Sequence, residues 1–232
     1  MKIAIMQPYW FPYIGYWQLI NMVDEFVLLD DVNYIKKGWI NRNRIWLEGK
    51  EKYIVKPIKK ASQNKIINEL EFVNDRKIPE HLSRTLQYAY RKSRKWQEMS
   101  DMVYSVLSYP ASNVADYLEN EIRSMCDYMG IDTKISRASI YRSKIHEKGQ
   151  DGILSLCKML NYDVYINPIG GKKLYDKEVF NQSNIHLHFM NTDYNELKKI
   201  NAVTRWDYSI LEVLAGNDIE EVKKALLCAY LE

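Results

Sequence analysis

Cysteine is scarce in this 232-residue chain. Cys126, Cys157 and Cys228 stand far apart, with no Cys-x-x-Cys and no Cys/His pair at metal-ligand spacing. That usage excludes a disulfide framework and a zinc site, and it fits reduced packing residues in a cytoplasmic protein. Long apolar runs are also missing. No stretch approaches the roughly 18 residues that a bilayer-spanning helix needs, and the N-terminus lacks the charged, apolar and small-residue series of a secretory leader. A soluble, cytoplasmic protein with no membrane segment is expected. Charge of one sign is lacking too: 33 basic residues face 30 acidic ones, for a net +3, so the overall field gives no reason to expect nucleic acid. Finally, there is no P-loop, no G-x-G-x-x-G, no G-x-S-x-G elbow and no Cys/His couple, which disfavours covalent catalysis by cysteine.

What the chain does have is an ordinary globular composition, 47% hydrophobic and 27% charged, enough to bury a core without staples. KIAIM and FVLLD (26–30) are short apolar runs that read as buried strands, with a short helix over IGYWQLINMV between them. Strand, helix, strand in a right-handed crossover opens a parallel sheet. KYIVKPI (52–58) is a third strand, and Pro57 sets its end or an edge. From about Ile78 to Met129 the period turns helical, with Ser112 or Asn113 as an N-cap and Gly130 after the last turn. Alternation resumes with KISRASIY, a helix over GILSLCKMLN, DVYINPI, IHLHFM and two closing helices, over SILEVLAG and DIEEVKKALLCAYLE. The class is therefore α/β with a mainly parallel sheet and an inserted helical lobe. Residues 1–75 and 131–232 make the two halves of the core, and 76–130 the lobe.

The exit of the first strand carries QPYWFPYIGY (7–16). In an open α/β sheet, ligands sit outside the carboxyl ends of the strands, so this loop is a candidate cavity wall. Pro8 and Pro12 stiffen it, and Gly15 permits close approach. Tyr9, Tyr13 and Tyr16 offer flat faces with polar tips. A hydrophobic plug beneath the sheet is the competing role. Basic residues are concentrated in the first hundred positions: KKGWINRNR, YIVKPIKK and YRKSRKW. Within WINRNR (39–44), Asn41 and Asn43 would face one way and Arg42 and Arg44 the other if the segment is a strand. Arginine suits bidentate phosphate contact, and Lys36 and Lys56 could add point charge. Asp30 and Asp31 end a buried strand, where a carboxylate could serve as general base, hydroxyl acceptor or Mg2+ ligand, or simply cap the strand. His81, in the first turn of a helix, is a candidate base or an ordinary surface imidazole. His186 and His188 share one side of a strand without a third ligand nearby, so no metal site is assigned. Gly170-Gly171 after a strand is a weak phosphate signal. Asp207 or Ser209 reads as a helix cap.

The strand, turn, helix, strand layout resembles nucleotidyltransferases and adenylate-forming ligases of the HIGH type, with Tyr13 and Tyr16 of FPYIGY at the two histidine positions. Tyrosine, with a pKa near 10, can donate hydrogen bonds there but cannot supply positive charge at neutral pH. A closer likeness spans nearly the whole chain. QPYWFPYIGYWQLI, DEFVLLDDVNY, KKGWINRNRI and RWDYSILEVL resemble the WbqC-like family. That resemblance implies work on nucleotide-linked sugars in surface-polysaccharide (O-antigen) assembly: acyl or aminoacyl transfer to an amino sugar. Its partners would be a sugar nucleotide and an acyl or aminoacyl donor. The resulting expectation is a transferase with Asp30, Asp31 and His81 as catalytic candidates. Gln7, Tyr9, Tyr13, Gly15, Tyr16, Lys36, Trp39, Asn41, Arg42, Asn43, Arg44 and Lys56 would bind substrate. The alternatives are an ATP-dependent, adenylate-forming amide ligase, for which ATP or Mg2+ would be the cofactor, and a non-catalytic sugar-nucleotide binding partner.

Overall fold

In a computed structural model, which describes residues 1–141 and 144–232, the core is a six-stranded sheet. Its strands are β1 (Lys2–Met6), β2 (Glu25–Leu28), β5 (Lys134–Arg137), β6 (Val164–Pro168), β7 (His186–Thr192) and β8 (Ala229–Leu231), in the order β5-β2-β1-β6-β7-β8. All neighbours are parallel except β7 and β8. The chain winds outward from β1 through β2 to β5, returns to the other side of β1 as β6, and winds outward again. The winding direction therefore reverses between β1 and β6, and loops at the carboxyl ends of these strands diverge there.

Alternation along the strands fills both faces. Ile3, Ile5, Val27, Leu187 and Phe189 pack in one apolar cluster with α5 (Gly149–Met159) and Phe180 of α6 (Lys177–Gln182). Ala4, Phe26, Leu28, Ile166 and Met190 belong to a second, larger cluster. It also takes in α1 (Ile14–Asn21), the three successive helices α2 (Lys77–Tyr90), α3 (Arg94–Leu107) and α4 (Val114–Met129), and the late helices α7 (Tyr194–Ile200), α8 (Ile210–Gly216) and α9 (Ile219–Leu226). Burial on both sides explains why KIAIM reads as a continuous apolar run. Helix ends follow the sequence signals: Asn113 accepts from the Ala115 and Asp116 amides, and Gly130 ends α4 at φ 71°.

One alternative the sequence left open falls to the strand, and one element differs from the reading of the sequence. WINRNR leads into a strand, β3 (Arg42–Leu47), which pairs antiparallel with β4 (Lys50–Val55). Glu48 and Gly49 both have positive φ, the two-residue turn that matches strand twist. The last helix stops at Leu226, and Ala229–Leu231 instead pair with Met190–Thr192 as an antiparallel edge strand. Among the described residues no helix is long and apolar enough to cross a membrane.

Candidate functional site

The QPYWFPYIGY loop is neither free nor simply a plug. Trp10 and Phe11 are fully buried, and Phe11 is held at φ 43°, a left-handed conformation that bulky residues adopt only when their surroundings impose it. Those surroundings are specific. Asn43 Nδ2, from β3, donates to the carbonyls of Trp10 (3.0 Å) and Phe11 (2.6 Å). Ser209 Oγ, at the N-cap of α8, donates to Phe11 O (3.0 Å), and the Ile210 amide donates to Pro12 O (2.9 Å). Trp17 Nε1 donates to Pro12 O as well (2.9 Å). Three segments far apart in the sequence, 7–16, 39–44 and 207–210, are thus tied together through buried backbone carbonyls, which is where unpaired polar groups would be costly.

The tie leaves Tyr9 and Tyr13 on the wall of a cavity of about 310 Å³, completed by Pro12, Trp39, Asn43, Arg44, Tyr194 and Asp207. Burial lifts the Tyr13 phenol to about 12, reinforced by the neighbouring Tyr194 and Tyr9 hydroxyls, and burial also raises Tyr9. Both therefore stay protonated donors at neutral pH. Gly15 is required beside them, because a Cβ there would lie 2.5 Å from Tyr13 Cε2 and 2.8 Å from Thr192 Oγ1.

Strand alternation separates the WINRNR side chains. Asn41 and Asn43 face inward and are buried; Asn41 accepts from the Tyr34 hydroxyl and donates to Lys56 O. Arg42 and Arg44 face outward in a row of rings: Arg42 lies 4.6 Å from the Tyr53 centroid, and Arg44 lies 5.8 Å from Trp39 and 4.6 Å from Tyr208. Arg44 alone of the two lines the cavity. It is paired with Glu51 (3.1 Å) and Asp207 (3.0 Å), while its Nε is buried without a hydrogen-bond partner. The Arg42 guanidinium is committed to the carbonyls of Lys37 and Gly38.

Other anticipated residues are placed elsewhere. Tyr16 is in the core, its hydroxyl donating to Gln7 O (3.0 Å) and its ring against Phe26. Lys36 is exposed. Asp30 is fully buried and accepts from the Ser139 amide (2.9 Å) and hydroxyl (2.7 Å), so it braces the turn after β5; burial raises its pKa against those hydrogen bonds. Asp31 lines a different cavity of about 460 Å³ beside the start of α5. His81 is exposed on α2 and lines none of these cavities. Lys56 is buried beside the end of α3 and Tyr117 of α4. His186 is exposed and His188 half-buried on β7, and among the described residues no cluster of three or more His, Cys, Asp or Glu is placed to hold a metal. Tyr194 was not legible as a site residue: nothing local marks it, and it reaches the cavity only because α7 starts at the carboxyl end of β7. Asp207, readable only as a cap, is instead the carboxylate of the cavity.

The model of the WbqC-like protein family matches residues 7–224. An uncharacterized protein of Mycobacterium tuberculosis is 26% identical over 216 residues, which cover 92% of each chain. No solved structure matches.

Proposed function

The chain belongs to the WbqC-like protein family, and from that premise we propose that it is a cytoplasmic transferase that binds a nucleotide-linked amino sugar at the tyrosine-lined cavity and passes an acyl or aminoacyl group to the sugar amine. The observation that carries the proposal is the convergence of the aromatic loop, the WINRNR strand and the DYSI helix start on one cavity. Burial of Phe11 and Trp10 alone would need only apolar partners. Here buried amide and hydroxyl donors fix the loop so that Tyr9 and Tyr13, with Trp39, line the cavity.

A cavity of about 310 Å³ is at the small end of ligand sites, so it takes one ring of the ligand. Stacking on Trp39 and hydrogen bonds from the Tyr9, Tyr13 and Tyr194 hydroxyls suit a hexose or a base. Arg44 contacts the diphosphate, which competes with Glu51 and Asp207 for the guanidinium. Asp207 released in this way is the carboxylate available to accept a proton from the attacking amine, while the acyl carbon's bond to its donor breaks and the donor's carrier leaves with the electron pair. The adenylate-forming alternative needs both residues at the HIGH histidine positions to reach a triphosphate. Tyr16 has its hydroxyl spent in the core, which favours transfer.

Titration calorimetry with a panel of dTDP- and UDP-linked amino sugars tests the proposal. At least one should bind; Arg44→Ala and Tyr13→Phe should each weaken it tenfold or more, and Arg42→Ala by less than threefold. A panel in which nothing binds refutes the substrate class, and binding untouched by Arg44→Ala and Tyr13→Phe moves the site elsewhere. Binding without acylated product from any supplied donor would favour the non-catalytic partner.

A further inference from the structure

A second cavity, of about 440 Å³, lies between the end of β4 and the helical lobe. Its walls are Phe72, Ile78, Pro79, Leu107, Tyr109 and Pro110, and it reaches the surface, since Val73 and Tyr104 along it are 37% and 47% exposed. Lys56 lines it and is only 6% exposed. Its backbone is clamped on both sides by Asn41, which accepts from the Lys56 amide (2.8 Å) through its own carbonyl and donates to Lys56 O (3.0 Å) from its side chain. The side chain is thereby sent inward. Nζ donates to Leu107 O (3.3 Å), one of the last carbonyls of α3, and lies 4.2 Å from the Tyr117 ring centroid and 5.2 Å from that of Phe72.

A buried ammonium is normally paired with a carboxylate. Among the described residues, none forms an ion pair with Lys56. Asp75, Arg76 and Glu80 are the other charged residues that line the cavity, none of them ion-paired to Lys56, and the oxygen bonded to Nζ is a neutral carbonyl. Leu107 and Phe72, which touch Nζ, themselves line the cavity. We propose that Lys56 is a reactive amine at the floor of this cavity, forming an imine with a small carbonyl compound that has an aromatic or apolar body. The amine lone pair attacks the carbonyl carbon, and the carbinolamine then loses its oxygen as water to leave C=N, with no oxidant or reductant consumed. Burial lowers the amine to about 8, so at pH 7.5 on the order of a hundredfold more of it is neutral than of a solvated lysine. This site is separate from the tyrosine-lined cavity and does not depend on the transferase reading.

Wild-type protein treated with 4-formylbenzoate and cyanoborohydride, then digested and mapped by mass spectrometry, provides the test, with the remaining lysines as internal reference. Lys56 should be modified at least tenfold faster than the median lysine at pH 7.5, with a rate midpoint near pH 8, and the advantage should vanish in denaturing urea. Modification at or below the median, or an advantage that survives unfolding, overturns the proposal and leaves Lys56 as a cap on the α3 carboxyl end.

Discussion

Replacing Asn43 by alanine should loosen the aromatic loop, and the cost can be worked from its contacts. The residue is 4% exposed, and its side chain donates to two buried carbonyls at 3.0 and 2.6 Å and accepts from the Arg44 amide at 2.8 Å. Each buried bond contributes a net of about 0.5–1.5 kcal/mol, and a carbonyl left dry without its donor costs about 1–3 kcal/mol. Phe11 O keeps Ser209 and Ile210 as donors, so the larger loss falls on Trp10 O. Relaxation of Phe11 from φ 43° returns a part of this, about 1 kcal/mol. The expected net loss is about 2–4 kcal/mol, which for a chain of this size lowers Tm by about 5–15 °C. Asn43→Asp sharpens the test. It is isosteric but turns an oxygen toward the two carbonyls, so at pH 7 it should destabilise at least as much as alanine. Its pKa would rise in the folded state. Stability is then regained as pH falls toward the unfolded carboxyl value, because the protonated acid can donate again. Urea unfolding of the three proteins between pH 4 and 7 decides the matter. An aspartate variant as stable as wild type at neutral pH would show that the amide donor holds nothing, and the account of the loop would be wrong.

Further predictions concern the ground beneath and beside the loop. Glu121 on α4 is fully buried, and burial drives its pKa well up with the Phe11 backbone opposing. A carboxyl raised on folding stabilises most below its unfolded value and loses that contribution as pH climbs, so Glu121→Gln should flatten the fall in urea midpoint between pH 5 and 8; an unchanged slope would contradict a protonated Glu121. Gly15→Ala must push aside the Tyr13 ring or Thr192. It should cost about 1–3 kcal/mol and weaken ligand binding at the cavity along with Tm, and a variant with wild-type Tm and affinity would mean that the close approach is not needed.

Much of the architecture was legible because local chemistry dictates it. KIAIM and FVLL are apolar on both faces, and Asn113 and Gly130 bracket a helix, each independent of anything distant. The alternation rule put Asn41 and Asn43 on one side of WINRNR and Arg42 and Arg44 on the other, and the strand obeys it. The rule could not say which side faces the cavity. The asparagines turned inward to hold carbonyls, and of the two arginines only Arg44 lies at the cavity. Tyr13 and Tyr16, three apart and alike in type, diverge for a comparable reason: Tyr13 is the N-cap of α1, while Tyr16 points one turn on into the core.

The amino-acid sequence by itself marked the parallel core strands, most of the helices and the ring-bearing loop, since backbone preference and apolar period act over a few neighbours; it did not mark α6, α7 or the edge strand β8. Only the tertiary structure decided that Asn43 and Ser209 hold that loop by its carbonyls, that Tyr194 and Asp207 complete its cavity, that Asp30 serves Ser139, and that Lys56 turns inward between α3 and α4. Those partners come from distant parts of the chain, and what joins them is the cost of leaving a buried donor or acceptor unmet, which no local pattern records.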